Sequence, residues 1–437
     1  MRFGVNYTPS QGWFHSWLDF DVDAVARDLE QIASLGVDHV RVFPVWPLVQ
    51  PNRTLIRQRG LDDVATVVDL AAAAGLDASV DAVQGHLSSF DFVPSWLESW
   101  HRRNLFTDPD VVASTADYVR ALARTVGGRD SLLGVTIGNE LNQFAGPPHP
   151  APHRIDAREA SAWLETMTTA ARTGLQEAGG ASSGRVASVT HAMYDAAWYD
   201  DRQPFEPAHA ADHGDLTVTH SWVFNGAAQL AGPLGPGSAR HAEYLVQLAA
   251  AWNRDASRPN WLQEVGSPTN VVPAADGPDF VEATLRHAAD APGVWGVTWW
   301  CSHDVSRTLS DFPDLEHDLG LFTADGVLKP TGRRFAEVAA ELRGRQAPVP
   351  APDALVLDDV GPDGSAEPGH RASCAPGGAF SSAWLRLAES TGRGPQVVLA
   401  SRLGDQRLLE ARGVRTLHRT TERGSVPLAV AHPATLR

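Results

Sequence analysis

A single lysine, Lys329, stands among 36 basic residues; all the others are arginine. Barrel aldolases and pyridoxal enzymes need a lysine amine to form an imine. Lys329 lies in Asp325-Gly326-Val327-Leu328-Lys329-Pro330, a loop leading into a helix, which argues against that chemistry. Cysteine is almost as scarce. Cys301 and Cys374 are too few for a disulfide framework. No run of about 18 apolar residues occurs, so no membrane-spanning helix is expected. The opening Met1-Arg2-Phe3-Gly4-Val5-Asn6-Tyr7 reads at once as a strand and lacks the apolar core and cleavage site of a secretory leader. A cytoplasmic protein is the expectation. A formal charge of −16 disfavours nucleic acid and anionic membrane surfaces as partners.

What is present is a long alternation of strand and helix patterns. With 437 residues, 43% of them hydrophobic, the chain exceeds one ordinary domain and suits a barrel with a small companion. After the first strand, Asp21 opens a helix whose apolar residues Val25, Leu29, Ile32 and Leu35 recur at helical spacing until Gly36 stops it. Further strands are expected at 40–43, 78–83, 133–140, 186–190, 216–220, 261–264 and 294–300, with helices in the gaps and a last one at 331–342. This pattern predicts an α/β fold, a (β/α)8 TIM barrel over residues 1–345. The alternative, a doubly wound open sheet, calls for a glycine-rich phosphate loop after its first strand, and none follows Tyr7. Residues 346–353, beginning Gln346-Ala347-Pro348-Val349-Pro350, read as a stiff linker. Residues 354–437 read as a small α/β accessory domain. Its strands are expected at 354–357, 396–400 and 415–418, and its helices at 380–387 and 405–411. Packing or homo-oligomer formation is its default role.

Two carboxylates carry the chemistry. Glu140 closes the run from Leu133 to Asn139, and Glu264 closes Asn260-Trp261-Leu262-Gln263. In a barrel both strands deliver their last side chain to the same rim. A retaining glycosidase needs two carboxyl groups about 5–5.5 Å apart, one to attack the anomeric carbon and one to protonate the departing oxygen. The charge of the first raises the pKa of the second, and glycosylation removes that charge, so the acid becomes a base for the second step. Asn139 adds an amide suited to a sugar 2-hydroxyl. Such a site needs an oligosaccharide and no cofactor. No metal is expected either: His209 and His213 have the spacing of a helical zinc site but lack its glutamate, and no His-x-His follows strand one.

An Asn-Glu pair ending strand four with a lone Glu ending strand seven resembles the clan A glycoside hydrolases, and family 5 most closely. The resemblance implies that Glu140 is the acid/base and Glu264 the nucleophile. It implies that Arg41 holds the nucleophile ionised, that His86 and His220 contact substrate, and that Trp300 floors the reacting sugar. One position departs: Trp222 stands where the family has a tyrosine, leaving Tyr7 and Tyr194 as candidates for the missing hydroxyl. The segments from Gly4 to Trp17 and from Arg41 to Pro47, with Trp46, are similar to the actinobacterial subfamily 18 β-mannosidases, which are associated with mannosyl-β-1,4-N-acetylglucosamine of N-glycan cores. That resemblance implies a retaining exo-β-mannosidase. An endo-β-1,4-mannanase or β-glucanase is the alternative within hydrolases, and a non-catalytic carbohydrate-binding barrel the alternative outside them. His86 and His220 also fit as core histidines. His303 and Asp304, just past strand eight, are further candidates for substrate hydroxyls. Trp13, Trp17, Trp46, Trp96 and Trp100 crowd the early rim loops, where flat rings either stack on sugars or pack a lid.

Overall fold

Every turn of the alternation from β1 to the last barrel helix is realised in the computed structural model, which describes residues 1–361, 363–421 and 424–428. The strands are β1 Arg2–Asn6, β2 His39–Val42, β3 Asp77–Gln84, β4 Leu132–Asn139, β5 Ser188–Thr190, β6 Thr217–Ser221, β7 Asn260–Val265 and β8 Val294–Trp299. They form one sheet in the order β5-β4-β3-β2-β1-β8-β7-β6. Its neighbouring strands are all parallel, and β1 pairs with β8, as a ring requires. Between β5 and β6 no ladder is seen among the described residues. There Asp215 bridges instead: its N–H donates to Val189 O at 2.8 Å and its carboxylate accepts the Val189 N–H at 2.7 Å. Strand five starts two residues later than expected, because the β-branched Val186 faces solvent.

Local chemistry sets the crossover helices. Asp21 accepts the Asp23 and Ala24 N–H groups and starts helix Val22–Ser34, which buries Val25, Leu29 and Ile32. Asp108 caps Pro109–Val126, and a reciprocal Asp156–Glu159 box caps Ala157–Glu177. Each such cap contributes about 1 kcal/mol. The barrel core between sheet and helices is aliphatic, with Val5, Leu29, Val40, Val67, Leu122 and Leu262 fully buried. No helix of the described residues is long and apolar enough to cross a membrane.

Beyond the irregular segment after Arg343, a second sheet begins at Asp353. Its strands are β9 Asp353–Leu357, β10 Gln396–Leu399, β11 Thr416–Thr421 and β12 Gly424–Leu428, in the order β10-β9-β11-β12. The first three are parallel and β12 is antiparallel to β11, an extra strand over the expectation. Residues 429–437 of the expected domain lie outside the described residues. The small sheet sits against the barrel. Trp384 packs on Tyr244 with ring centroids 5.1 Å apart, the Tyr244 hydroxyl donates to Cys374 O at 2.8 Å, and Glu243 accepts the Gly394 N–H at 2.9 Å.

Candidate active site

Arg41, on β2, organises the carboxyl end of the ring from a position with no solvent exposure. Its Nε and Nη2 grip the two oxygens of Asp81 on β3, at 2.8 and 2.6 Å. Nη2 also donates to Asn139 Oδ1 at 2.7 Å, and Nη1 to Glu264 Oε1 at 2.7 Å. The rigid guanidinium fork thus fixes β2, β3, β4 and β7 relative to one another. Asn139 donates its own Nδ2 to His86 O at 2.9 Å, which leaves one N–H of that amide for a ligand. At the end of β4 the backbone of Glu140 turns into the left-handed region, φ 49°, and enters the short helix Leu141–Phe144. A non-glycine residue held there is a locally strained conformation.

The second oxygen of Glu264 answers the question left by the missing tyrosine. Trp222 Nε1 donates to Glu264 Oε2 at 3.3 Å. An indole replaces the hydroxyl, and the replacement is a pure donor that neither accepts nor ionises. Gly266 makes room for it: a Cβ there would lie 2.9 Å from the Trp222 ring.

His220 lies between the two glutamates. Its Nδ1 is 2.8 Å from Glu140 Oε1 and 3.4 Å from Glu264 Oε2. Gln263 Nε2 donates to Thr136 Oγ1 at 3.1 Å, so Gln263 Oε1, 3.2 Å from His220 Nε2, must accept. His220 Nε2 therefore carries hydrogen, and a single proton is shared along Nδ1···Glu140. Burial works against a charged His220, but the Glu264 and Glu140 carboxylates outweigh it and raise its pKa. Burial would also raise Glu140, yet the hydrogen bond and charge of His220 and the Gln143 amide hold it below the ordinary value. Burial raises Glu264, as does the Glu140 charge, with His220 and Arg41 opposing. The three groups titrate as one unit. The two opposed shifts draw the shared proton toward the imidazole.

A cavity of about 440 Å³ opens above this cluster. Trp300 lines it, while its neighbour Trp299 points outward onto Phe335. Loops tied to one another form the walls. Asp91, in the hairpin after β3, takes His86 Nδ1 on one oxygen and His149 Nε2 on the other, each at 3.0 Å. Ser88 donates to Glu316 Oε2 at 2.8 Å, joining that hairpin to the loop after β8. Burial, aided by the Glu264 charge, pushes the Glu316 carboxyl up to about 7.

The cavity brings together Glu140, Glu264, Asn139, His86, Trp222 and Trp300, with Arg41 and His220 directly beneath. Four expected contributors lie elsewhere. Tyr7 is buried in the barrel core with its hydroxyl on Asp28 Oδ2 at 3.0 Å, facing helix Val22–Ser34 and not Glu264. Trp46 opens a short helix and turns inward, its Nε1 on Gln50 and its ring beside Trp96 and Tyr118. His303 is buried between Thr8 and Gln31, and Asp304 holds Lys329 at 2.7 Å. Trp13, Trp17 and Trp96 are likewise packing rings, and Trp100 is fully exposed; none of them lines the cavity.

Asp81, Glu316 and Asp91 are site residues that sequence reasoning missed. Asp81 had a signal, a carboxylate in the middle of an apolar strand. Glu316 had none, since a loop residue many positions past β8 carries no periodicity. The His209–His213 pair is committed to structure: His209 Nδ1 accepts the Glu206 N–H, and His213 Nε2 meets Ser161 Oγ. Among the described residues the only cluster with metal-ligand spacing is Glu140, His220 and Glu264, whose donor atoms lie within 4.8 Å of one another. Both Glu264 oxygens there already accept from Arg41 and Trp222, an arrangement suited to a carboxylate pair and not to a cation.

Two carboxylates this close, at the carboxyl mouth of a parallel barrel, define a barrel glycoside hydrolase of the retaining type. An enzyme from Streptomyces cattleya, crystallised as a glutamate-to-alanine variant with Manβ1-4GlcNAc, is 52% identical, with a TM-score of 0.90 over 96% of this chain and 98% of that one. One from Bifidobacterium longum subsp. longum ATCC 55813, also a glutamate-to-alanine variant with Manβ1-4GlcNAc, is 42% identical at the same TM-score, with both chains fully covered. The exo-β-1,4-mannosidase Op5Man5 from Opitutaceae bacterium strain TAV5, 24% identical with a TM-score of 0.71 over 91% of this chain and 69% of that one, shares the fold. No protein-family model matches the chain, and no curated protein does. The chain belongs to glycoside hydrolase family 5, subfamily 18.

Proposed function

We propose that the protein is a retaining exo-β-mannosidase that cleaves mannosyl-β-1,4-N-acetylglucosamine. The observation that carries the reading is the buried Glu140–His220–Glu264 cluster, all within 4.8 Å, at the base of a walled pocket. Glu264, oriented through both oxygens, attacks C1. A sugar entering the pocket displaces water, and a neutral acid–imidazole pair then costs less than an ion pair. The shared proton accordingly passes from His220 to Glu140 and on to the leaving oxygen. Glu140 then takes a proton from the water that releases mannose. The free N–H of Asn139 is placed for the 2-hydroxyl, and Trp300 for the sugar's C–H face. Mannose as the sugar and N-acetylglucosamine as the leaving group are supported by the relatives crystallised with that disaccharide. The ties through Asp91 and Glu316 close one side of the pocket, which supports release of single residues from a chain end. A cytoplasmic site of action, on short imported saccharides, is part of the same reading; both cysteines are buried and unpaired.

Proton NMR of the reaction tests this directly. β-Mannose should be the first anomer to appear from the disaccharide, and mannotetraose should lose only terminal mannose. First appearance of α-mannose, or of internal fragments, would overturn the reading.

Two substitutions probe the walls of the cluster. Trp222→Phe removes the indole N–H that donates to Glu264 Oε2 and should lower kcat/KM on an aryl β-mannoside by about 10-fold to 100-fold. Trp222→Tyr, which offers a hydroxyl from a shorter ring, should recover part of that loss. Glu316→Gln keeps the size of the side chain but removes the carboxyl whose pKa lies near neutrality. It should raise KM by about tenfold with kcat little changed, as loss of uniform binding does. Steady-state kinetics at neutral pH decides both.

A further inference from the structure

We infer that the small C-terminal domain positions the leaving-group wall of the pocket, and that Arg371 is the residue through which it does so. Arg371 lies in the short helix His370–Cys374 of that domain, yet its guanidinium is buried in the barrel. Nη2 donates to Asp201 O at 2.9 Å and Gln203 O at 3.1 Å, and Nη1 to Ala197 O at 3.3 Å and Phe205 O at 3.4 Å. The Arg371 and Ala372 N–H groups also meet the Asp201 carboxylate, at 3.3 and 3.2 Å. One side chain thus satisfies four backbone carbonyls of a single loop, the one that joins β5 to β6. That loop carries only the short helices Ala196–Tyr199 and Pro207–Asp212 and has no sheet ladder to fix it.

That loop braces the chain that follows Glu140 at two places. At its start, Asn142 Oδ1 accepts the Tyr194 N–H at 2.7 Å and Asn142 Nδ2 donates to Tyr194 O at 3.3 Å. Midway along it Gln203 Nε2 donates to Pro147 O. The fit there is close: a Cβ on Gly146 would lie 3.1 Å from Gln203 Nε2 and 3.2 Å from the Pro204 ring. Between those two ties lies Gln143, which holds Glu140, and directly after the second come Pro148 and His149, which line the cavity. A general acid sits beside the glycosidic oxygen, so the segment that continues from it flanks the departing sugar. The relay therefore runs from Arg371 through the β5–β6 loop to the wall that the N-acetylglucosamine would meet. It explains why a domain with no cavity residue of its own is joined to the barrel by a buried arginine, where surface contacts alone would hold two domains together. The inference rests on the mannosidase reading for the identity of the leaving sugar.

The test compares two substrates in Arg371→Met and Gln203→Leu. An activated aryl β-mannoside needs neither the leaving-sugar wall nor strong acid assistance. KM for mannosyl-β-1,4-N-acetylglucosamine should rise about tenfold in each variant, while kcat/KM on the aryl substrate stays within about twofold. The double variant should be no worse than either single one, since both cut the same relay. Arg371→Lys should restore little, because one ammonium cannot reach four carbonyls. Hydrogen exchange should show faster exchange at 141–150 in both variants. An equal loss on both substrates, or unchanged disaccharide kinetics, would overturn the relay. If the wild-type enzyme turns over neither substrate, the mannosidase reading is what fails. Exchange at 141–150 then still decides the brace, and unchanged protection there overturns it.

Discussion

Replacing Glu264 with alanine should lower turnover of an aryl β-mannoside on the order of 10⁵-fold, the scale at which loss of a nucleophile acting within a unit is felt. The fold should survive. Arg41 keeps its bidentate hold on Asp81, so the guanidinium left by Glu264 is still paired and is not a bare buried charge. Far-ultraviolet circular dichroism and the melting temperature should therefore stay close to wild type. The emptied space admits a small anion beside Arg41 and Trp222, the two donors that had held the carboxylate. Azide added to this variant should attack the substrate directly from the vacated face and yield α-mannosyl azide, the inverted product. Formation of the β-azide would move the nucleophile elsewhere in the cavity. The pH dependence has a sign to match. As the proposed nucleophile Glu264 must be ionised to attack, so wild-type activity should fall as pH drops through its apparent pKa. Burial lifts that value above an ordinary glutamate, against the pull of His220 and Arg41. The acidic limb of the wild-type profile should thus lie higher than an exposed glutamate would place it.

The residues that sequence alone located are those whose position follows from a repeating unit. Glu140 and Glu264 lie within one residue of their strand ends, and parallel strands in a ring share one functional face; Arg41 and His220, which the family resemblance supplied, lie at the same height on β2 and β6. Once eight strands were counted, the meeting of the two glutamates was a matter of geometry. Residues in loops follow no such period. Tyr7 and Trp46 have the right chemistry at the right height, but the chain turns after β1 and β2 so that both rings fill apolar space under helices. His303 suffers the same fate one turn past β8, where Gln31 from a distant helix claims it. Trp222 is the instructive case. Its substitution for tyrosine was visible, yet whether an indole N–H reaches Glu264 depends on Gly266, a residue 44 positions away in the chain that leaves the ring room to swing. Asp81 and Glu316 show the same asymmetry between strand and loop. The domain interface was equally illegible, because Arg371 binds backbone carbonyls, which every residue has.

Glu140→Ala should divide substrates by their leaving groups, and this is the sharpest check on the division of labour between the two glutamates. With the disaccharide, whose leaving alcohol needs protonation, kcat/KM should fall about 10³-fold, the usual contribution of a general acid. With an activated aryl mannoside the first step needs little help, so the glycosyl-enzyme on Glu264 forms and then accumulates, because no base deprotonates water. A burst of phenol followed by a slow phase should be seen. Azide needs no base and should relieve the block, giving β-mannosyl azide with retention, the opposite anomer to that from Glu264→Ala. If the two variants exchange anomers, the roles of the two carboxylates are reversed. The alkaline limb offers a second readout. On the proposed mechanism catalysis requires the proton shared by Glu140 and His220, so wild-type activity should be present below the pair's apparent pKa and be lost as pH rises through it. The flanking carboxylates raise His220 above its ordinary value, which places that limb on the alkaline side of an unperturbed histidine. In Glu140→Ala the proton has no donor to pass through, and the limb should vanish from the aryl-substrate profile while the acidic limb, which belongs to Glu264, remains.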